Sequence, residues 1–354
     1  MKLLITSAYK THSCLDRVLE LYSTDSYGLH RLVSDPEDAD AILFIENTQF
    51  QDMLFRQLME HPLVKHYPEK VFMYNEMDQA WPVLPGLYPS LSARMASLKE
   101  HVAFPYLTSS NSGIKDVHAQ NTPRKWLYSF IGSKSHPIRK ELFSLNCTRG
   151  LVEDTSAFCT WNPAQTSRFA YQKLYADTMA ESKFVLCPRG IGPASLRLYE
   201  TIEAGRIPVI ISDSWVAPPQ IDWRFAVRIP EWDIASIPDR LTELENEWQD
   251  RSAAARAAWE SAYAPDAMFN TLGTAVSMIS RTAQLPKQSL KVAAHKWRVV
   301  MAQETRNLLK PAVTLPDASL GKNHTLQPLS LLERLLSRSY GERKRPNQFS
   351  KPTE

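Results

Sequence analysis

Between residues 182 and 209 the chain places cations, glycines and carboxylates in an order that suits a nucleoside diphosphate. An apolar run, Phe184-Val185-Leu186, leads into Pro188-Arg189-Gly190, and a further glycine follows at Gly192. Ser195, Arg197 and Glu200 then open a helical stretch, and after Gly205 a second apolar run begins at Ile207. A guanidinium just past a buried strand can pair with phosphate through two parallel hydrogen bonds. Gly190 and Gly192 let backbone amides approach an anion closely. Ser195 stands where a helix start is capped or a phosphate is held. Glu200 offers a carboxylate to ribose hydroxyls; an i,i+3 ion pair with Arg197 is the alternative. Glu203 is a weaker carboxylate of the same stretch.

Such groups need a parallel sheet to present them, because open α/β sheets bind ligands past the carboxyl ends of their strands. Residues 3–6, 41–45 and 71–74 read as strands, with helical spacing at 15–21 and 53–60 between them. Residues 82–105 are proline-marked and irregular, and the polar stretch 109–125 reads as a linker. A second series follows, with strands at 127–131, 151–153, 184–187, 209–211 and 226–229 and helices at 138–145, 168–181, 196–204 and 237–263. The alternation predicts an α/β chain of two facing Rossmann-like domains, residues 1–120 and 121–285, ahead of a basic helical tail over 286–354. In the tail Leu290, Ala294, Trp297 and Met301 share one helical face, residues 329–336 read as a short helix, and the last residues read as disordered.

Composition narrows the class. Of 354 residues, 44% are hydrophobic and 22% charged, which fits a packed core rather than a disordered chain. The four cysteines form no C-x-x-C pair, so neither zinc nor a disulfide framework is expected, and a reducing compartment is. The opening Met-Lys-Leu-Leu-Ile-Thr-Ser has too short an apolar core for a signal peptide, and no run reaches membrane-spanning length. Residues 281–354 carry 14 Lys and Arg against 5 Asp and Glu, net +9, leaving a main body of net −6. The tail has three readings: packing across the first domain, resting on an anionic membrane surface, or binding nucleic acid. The last is disfavoured because basic and aromatic residues do not interleave there. The Asp38-Ala39-Asp40 triplet precedes its strand and reads as a solvated loop rather than a metal site.

The order Ser182-Lys-Phe, Pro-Arg-Gly, Ser195-x-Arg197-x-x-Glu200 and Glu203-Ala-Gly-Arg-Ile-Pro-Val-Ile-Ile-Ser-Asp213 resembles the exostosin family of glycosyltransferases. The likeness continues through Trp215, Pro218 and Ile221-Asp222-Trp223, and upstream through Leu127-Tyr-Ser-Phe-Ile-Gly-Ser133 and Arg139. It covers about residues 125–240 and is weak elsewhere. The resemblance implies a GT-B architecture and an inverting, metal-independent transfer from a nucleotide-diphosphate sugar, a UDP-sugar by preference, with no other cofactor. It implies that Arg189, Gly190, Ser195, Arg197 and Glu200 form the donor site, with Gly132, Ser133 and Arg139 approaching the diphosphate. The acceptor would be an oligosaccharide or lipid-linked glycan of a surface or exported polysaccharide. Without a leader or anchor, the enzyme would be a bacterial-like, cytoplasmic protein, peripheral to the inner membrane through its tail.

Inversion needs a base for the acceptor hydroxyl. Glu76 and then Asp78, just past the strand at 71–74, are the first choices; Glu46 and His136 follow. Loop capping by Asp78 and an exposed Glu76 is the alternative. Trp81, Tyr88 and Trp161 are candidates for stacking on sugar rings, whereas Trp215 and Trp223 read as core. A non-catalytic nucleotide- or glycan-binding subunit and a nucleotide-sugar epimerase are the competing functions.

Overall fold

The computed structural model describes residues 1–9, 13–47, 52, 55–78, 80, 82–97, 99–108, 111–145, 148–158 and 168–282, all within one compact unit. Trp81, Trp161 and the basic tail lie outside the described residues.

Continuous apolar runs form strands buried on both faces, and the intervening amphipathic stretches cover them as helices. The first half runs β1 (Lys2–Thr6), α1 (Ser13–Thr24), β2 (Arg31–Leu32), β3 (Ala41–Glu46), α2 (Arg56–Glu60), α3 (Pro62–His66), β4 (Val71–Asn75), β5 (Gly86–Tyr88) and β6 (His101–Ala103). The second runs β7 (Trp126–Gly132), α4 (Pro137–Leu142), β8 (Gly150–Asp154), α5 (Arg168–Ala180), β9 (Ser182–Pro188), α6 (Leu196–Glu203), β10 (Ile207–Ile211), β11 (Val227–Arg228), α7 (Ile237–Glu243), α8 (Trp248–Ala262) and α9 (Met268–Thr282). The strands order as β2-β1-β3-β4-β5-β6 and β11-β10-β9-β7-β8, parallel throughout. This is the expected α/β arrangement of two Rossmann-like sheets. Strand order reverses between β1 and β3 and again between β7 and β9, and a crevice opens past the carboxyl ends at such a reversal.

Strand alternation sorts the core. Leu43, Ile45, Phe72 and Tyr74 of the first sheet share one apolar cluster with Leu198 and Ile202 of α6, Ala255 of α8 and Leu272 of α9. Ile42, Phe44, Val71 and Met73 face the other way, onto Phe55, Leu58 and Met59. The chain ends its described course back on the first sheet, where α9 packs against α1, β5 and β6.

Four sequence expectations change. Residues 82–105 contain β5 and β6, whose three residues each are too few to show periodicity. The stretch read as a linker buries Ile114 and Val117 completely and forms a 3-10 turn at Val117–Ala119, so it is part of the core. The helix expected over 237–263 is two helices separated by a 3-10 turn at Glu245–Glu247. Residues 268–282, to which the sequence reading assigns no element, form α9; its three threonines and Gly273 are weak helix formers, so tertiary packing supports it.

One side chain ties these parts together. Gly205 follows α6 with φ +60°, a conformation that costs a residue with a Cβ, and its N–H and that of Arg206 close the helix on Ile202 and Thr201 carbonyls at 3.1 and 2.9 Å. Buried Arg206 then donates to the carbonyls of Met179 (3.1 Å) and Ala180 (3.2 Å) at the end of α5, and of Ala204 (2.8 Å) and Gly205 (3.0 Å) past α6. A fifth bond, 3.5 Å, reaches Val117. Helix carboxyl ends present partial negative charge, so one guanidinium neutralises two of them. Burial pushes its pKa down to about 9, which leaves it charged at neutral pH. Arg206→Met should cost about 3 kcal/mol or more in urea denaturation, because several buried acceptors lose their donor. Arg206→Lys should recover only part of that, since an ammonium lacks the planar fork. A loss under about 1 kcal/mol for the methionine variant would contradict the bracing role.

Candidate functional site

The reversal in the second sheet gathers most of the sequence-derived residues. Gly132 ends β7, Ser133 follows it, and Arg189 and Gly190 follow β9 on the neighbouring strand. Arg139 projects from α4 and lies against Gly190, where an added Cβ would come within 3.2 Å of its guanidinium. Its Nε donates to Arg189 O at 2.9 Å, Nη2 to Pro188 O at 3.2 Å and Nη1 to Ser133 O at 3.4 Å. Arg197, in the first turn of α6, donates from Nη2 to Ile131 O at 2.6 Å and crosses the face of Gly132. Both guanidiniums sit over the Phe130 ring, Arg197 at 4.4 Å and Arg139 at 5.7 Å from its centroid.

Two cations share one aromatic ring, and Arg139 makes all its hydrogen bonds to carbonyl oxygens. Burial lowers its pKa to about 10, and the nearby charge of Arg197 adds to the effect. Among the described residues no ion pair joins Arg197 to Glu200, so the simple i,i+3 pair does not form. Arg189 is buried and lies 3.7 Å from Glu231, a carboxylate that also accepts the Asp213 N–H at 3.0 Å. His136 caps α4 by accepting the Ile138 N–H. Its pKa falls to about 4 through burial and then through repulsion by Arg189 and Arg139. Three guanidiniums therefore act on one another and on His136 at this strand end.

Glu200 belongs to the same assembly through Tyr175. The Tyr175 hydroxyl donates to Glu200 Oε2 at 2.6 Å, and the Asn111 N–H lies 3.3 Å from Oε1. The Tyr175 ring lies 5.1 Å from the Arg197 guanidinium. Glu200 and Glu203 line a cavity of about 430 Å³ with Tyr106, Thr108, Asn111, and Trp259. Neither Arg189 nor Arg197 lines it, so acid and arginines meet across Tyr175 instead of opening into one pocket. A larger and more open groove, about 860 Å³, runs along α8 and holds none of these residues. Ser195 takes the helix N-cap position, but its side chain makes no capping bond.

The first sheet brings its carboxylates to the same end. Gly192 packs on the Asp78 backbone so tightly that a Cβ would fall 1.9 Å from the Asp78 carbonyl oxygen. Burial raises the Asp78 pKa while Arg139 pulls it down, which puts this carboxylate within the field of the cation cluster. Glu76 is buried rather than exposed: it accepts the Thr108 N–H at 2.7 Å and the Cys14 thiol at 2.8 Å, and burial raises its pKa. Glu46 sits at the reversal of the first sheet, accepting the Ala8 N–H (2.8 Å) and the Ser7 hydroxyl (2.9 Å). Burial pushes it up to about 7. Asp38 and Asp40 are exposed ahead of β3.

Tyr88 is corrected. It lies wholly inside the first sheet with its hydroxyl on Leu84 O, so it cannot stack on a sugar. Trp215 is buried and Trp223 packs edge-on against it, as expected for core residues. Phe130, Tyr175, Asn111 and Glu231 went unassigned in the sequence reading. The two aromatics look like ordinary core residues of a strand and a helix. Glu231 carried a usable signal, a carboxylate just past a strand end.

Two measurements probe this arrangement. An anion among the guanidiniums offsets the repulsion on His136, so pyrophosphate should raise its pKa above about 4 in an NMR titration; an unchanged value would show that the anion binds elsewhere. Glu46 has a folded pKa above its ordinary 4.5, so its neutral form stabilises the fold below that pH and the contribution is lost as pH rises through about 7. At about 1.4 kcal/mol per pH unit the span is worth about 3 kcal/mol. Chemical denaturation of Glu46→Gln at successive pH values should show a flatter profile between pH 4.5 and 7 than the parent.

The sequence profile of the Exostosin GT47 domain matches residues 59–244. The chain is 44% identical over 70 residues to an Exostosin-1 homolog of Caenorhabditis elegans, covering 19% of this chain and 18% of that protein. It is 32% identical over 149 residues to Exostosin-1 of Drosophila melanogaster, covering 37% and 20%. A probable glucuronosyltransferase of Oryza sativa subsp. japonica is 36% identical over 89 residues, covering 24% and 21%. The chain thus spans about a fifth of the length of these curated relatives. Among solved structures it is similar to TarM, with TM-score 0.40 and 10% identity over 75% of this chain and 58% of that one. It is also similar to Anabaena Alr3699/HepE in complex with UDP-glucose, with TM-score 0.35 and 11% identity over 80% and 100%. With its profile matched across more than half of the sequence, including both strand ends that carry the arginine cluster, the chain belongs to the Exostosin GT47 domain family.

Proposed function

We propose that the chain is an inverting glycosyltransferase that moves a sugar from a nucleotide-diphosphate donor, a UDP-sugar by preference, to an oligosaccharide or lipid-linked glycan. One observation carries this reading: Arg139, Arg189 and Arg197 converge where the second sheet reverses, and among the described residues Arg139 hydrogen-bonds to carbonyl oxygens. A diphosphate would bring further negative charge to these three guanidiniums. When the sugar–phosphate bond breaks, its electron pair passes to the β-phosphate oxygen. Prepositioned guanidiniums stabilise that added charge more than they stabilise the intact donor. Family membership agrees with the reading. Glu200 would take the ribose hydroxyls in exchange for its Tyr175 and Asn111 partners.

Of the first-sheet carboxylates, the geometry favours Asp78 as the group that takes the acceptor proton. Its backbone packs on Gly192 next to the cluster and the Arg139 charge acts on it, while Glu76 is held by Cys14 and Thr108. Its raised pKa moves the rising limb of the pH–rate profile above that of an ordinary aspartate. Arg189→Ala should weaken UDP binding at least about tenfold by calorimetry, as loss of a charge-assisted contact implies. Asp78→Asn should leave UDP affinity within about twofold and lower turnover by about 10²-fold or more. Unchanged UDP affinity in Arg189→Ala would refute the donor site; normal turnover in Asp78→Asn would remove the base. Release of UDP from a UDP-sugar only when acceptor is present separates transfer from epimerisation and from a non-catalytic binding role.

A further inference from the structure

An indole stands in water beside the arginine cluster. Trp232 is 81% exposed, although tryptophan is among the most buried side chains on average. It is not part of a loose loop. Its neighbour Glu231 exchanges two hydrogen bonds with Asp213: Glu231 N–H donates to Asp213 Oδ1 and Asp213 N–H donates to Glu231 Oε1, both at 3.0 Å. The Asp233 N–H closes a turn on Pro230 O at 3.0 Å, and Ile229 and Ile234 on either side are buried. The backbone is fixed and the indole is left out.

Its position is equally specific. The loop follows β11, at the sheet end that carries Gly132 and Arg189. Arg189 reaches it directly: Nη1 lies 3.7 Å from Glu231, while Nη2 lies 3.5 Å from Ile191 O. Ile191 is itself exposed, at 37%. One guanidinium thus braces two segments that each present an apolar side chain to solvent. Of the aromatics expected to stack on sugars, Tyr88 lies within the described residues and is fully buried, and Trp215 and Trp223 pack on the core.

We propose that Trp232 is a stacking platform for a sugar ring of the glycan acceptor. The inference rests on the glycosyltransferase reading above. An indole offers a flat apolar face to the C–H side of a pyranose and a ring N–H to a hydroxyl, and sugar rings combine those two surfaces. With the backbone already fixed, only the two side-chain torsions of the indole remain to be ordered on binding.

The test probes an array of β-linked gluco-, galacto- and uronate-containing oligosaccharides with the full chain, Trp232→Ala and Trp232→Phe, and measures UDP affinity of each by calorimetry. Trp232→Ala should lose at least about tenfold in glycan capture, and Trp232→Phe should keep most of it, because a phenyl ring still stacks. UDP affinity should stay within about twofold in both. Equal capture by the parent and Trp232→Ala with UDP still bound, or a parent that captures no oligosaccharide, overturns the platform and leaves the donor site standing. A parent that binds no UDP removes the reading beneath it and overturns both. Loss of sedimentation with phosphatidylglycerol vesicles in Trp232→Ala, with glycan capture unchanged, reassigns the indole to a membrane surface and overturns the proposal.

Discussion

Like charges held together in a partly buried place define this structure. Arg139 and Arg197 share the Phe130 ring, and Arg189 stands close enough to depress the pKa of His136. Carbonyl oxygens at the ends of β7 and β9 satisfy the hydrogen bonds of Arg139 but bring no net charge. Guanidiniums tolerate this better than ammonium groups, because their charge is delocalised and weakly hydrated. An anion bound among them would offset the cost of bringing them together. Much of the surrounding architecture serves to keep that cost bounded and the cluster in place.

The two sheets contribute unequally. The second supplies the cations from its reversal point, where β7 and β9 lie side by side and α4 and α6 begin. The first supplies carboxylates from the ends of β3 and β4, one of which, Asp78, feels the charge of Arg139. Contact is close: the backbone of Asp78 meets Gly192, and any larger residue at that position would push the two apart. Behind the site Arg206 binds the ends of α5 and α6 to the stretch that joins the sheets. The helix α9 then returns across β5 and β6. Positions of the cations relative to the carboxylates therefore depend on one continuous apolar cluster rather than on a flexible joint.

Much of this was legible in the residues. Apolar runs bounded by Gly and Pro located the long strands, and Pro-Arg-Gly after one of them pointed to the strand end where the guanidiniums meet. Legibility failed where tertiary contact, not local pattern, decides structure. The three-residue strands β5 and β6 and the buried Ile114 and Val117 carry no period of their own. Side-chain partners were hidden for the same reason. Nothing in a strand written Leu-Tyr-Ser-Phe-Ile says that Phe130 will lie under two guanidiniums. Nor does a helical tyrosine announce that Tyr175 will stand between Arg197 and Glu200. Burial of Glu76 was likewise invisible, since its donors, Cys14 and Thr108, are distant in sequence.

The central claim is that the cluster grips a diphosphate. Calorimetric titration of the chain with UDP and, separately, with uridine tests it most directly. UDP should bind at least about tenfold more tightly than uridine, and the advantage should shrink as salt screens the charges. Equal affinity for UDP and uridine, at low salt and high, would contradict it.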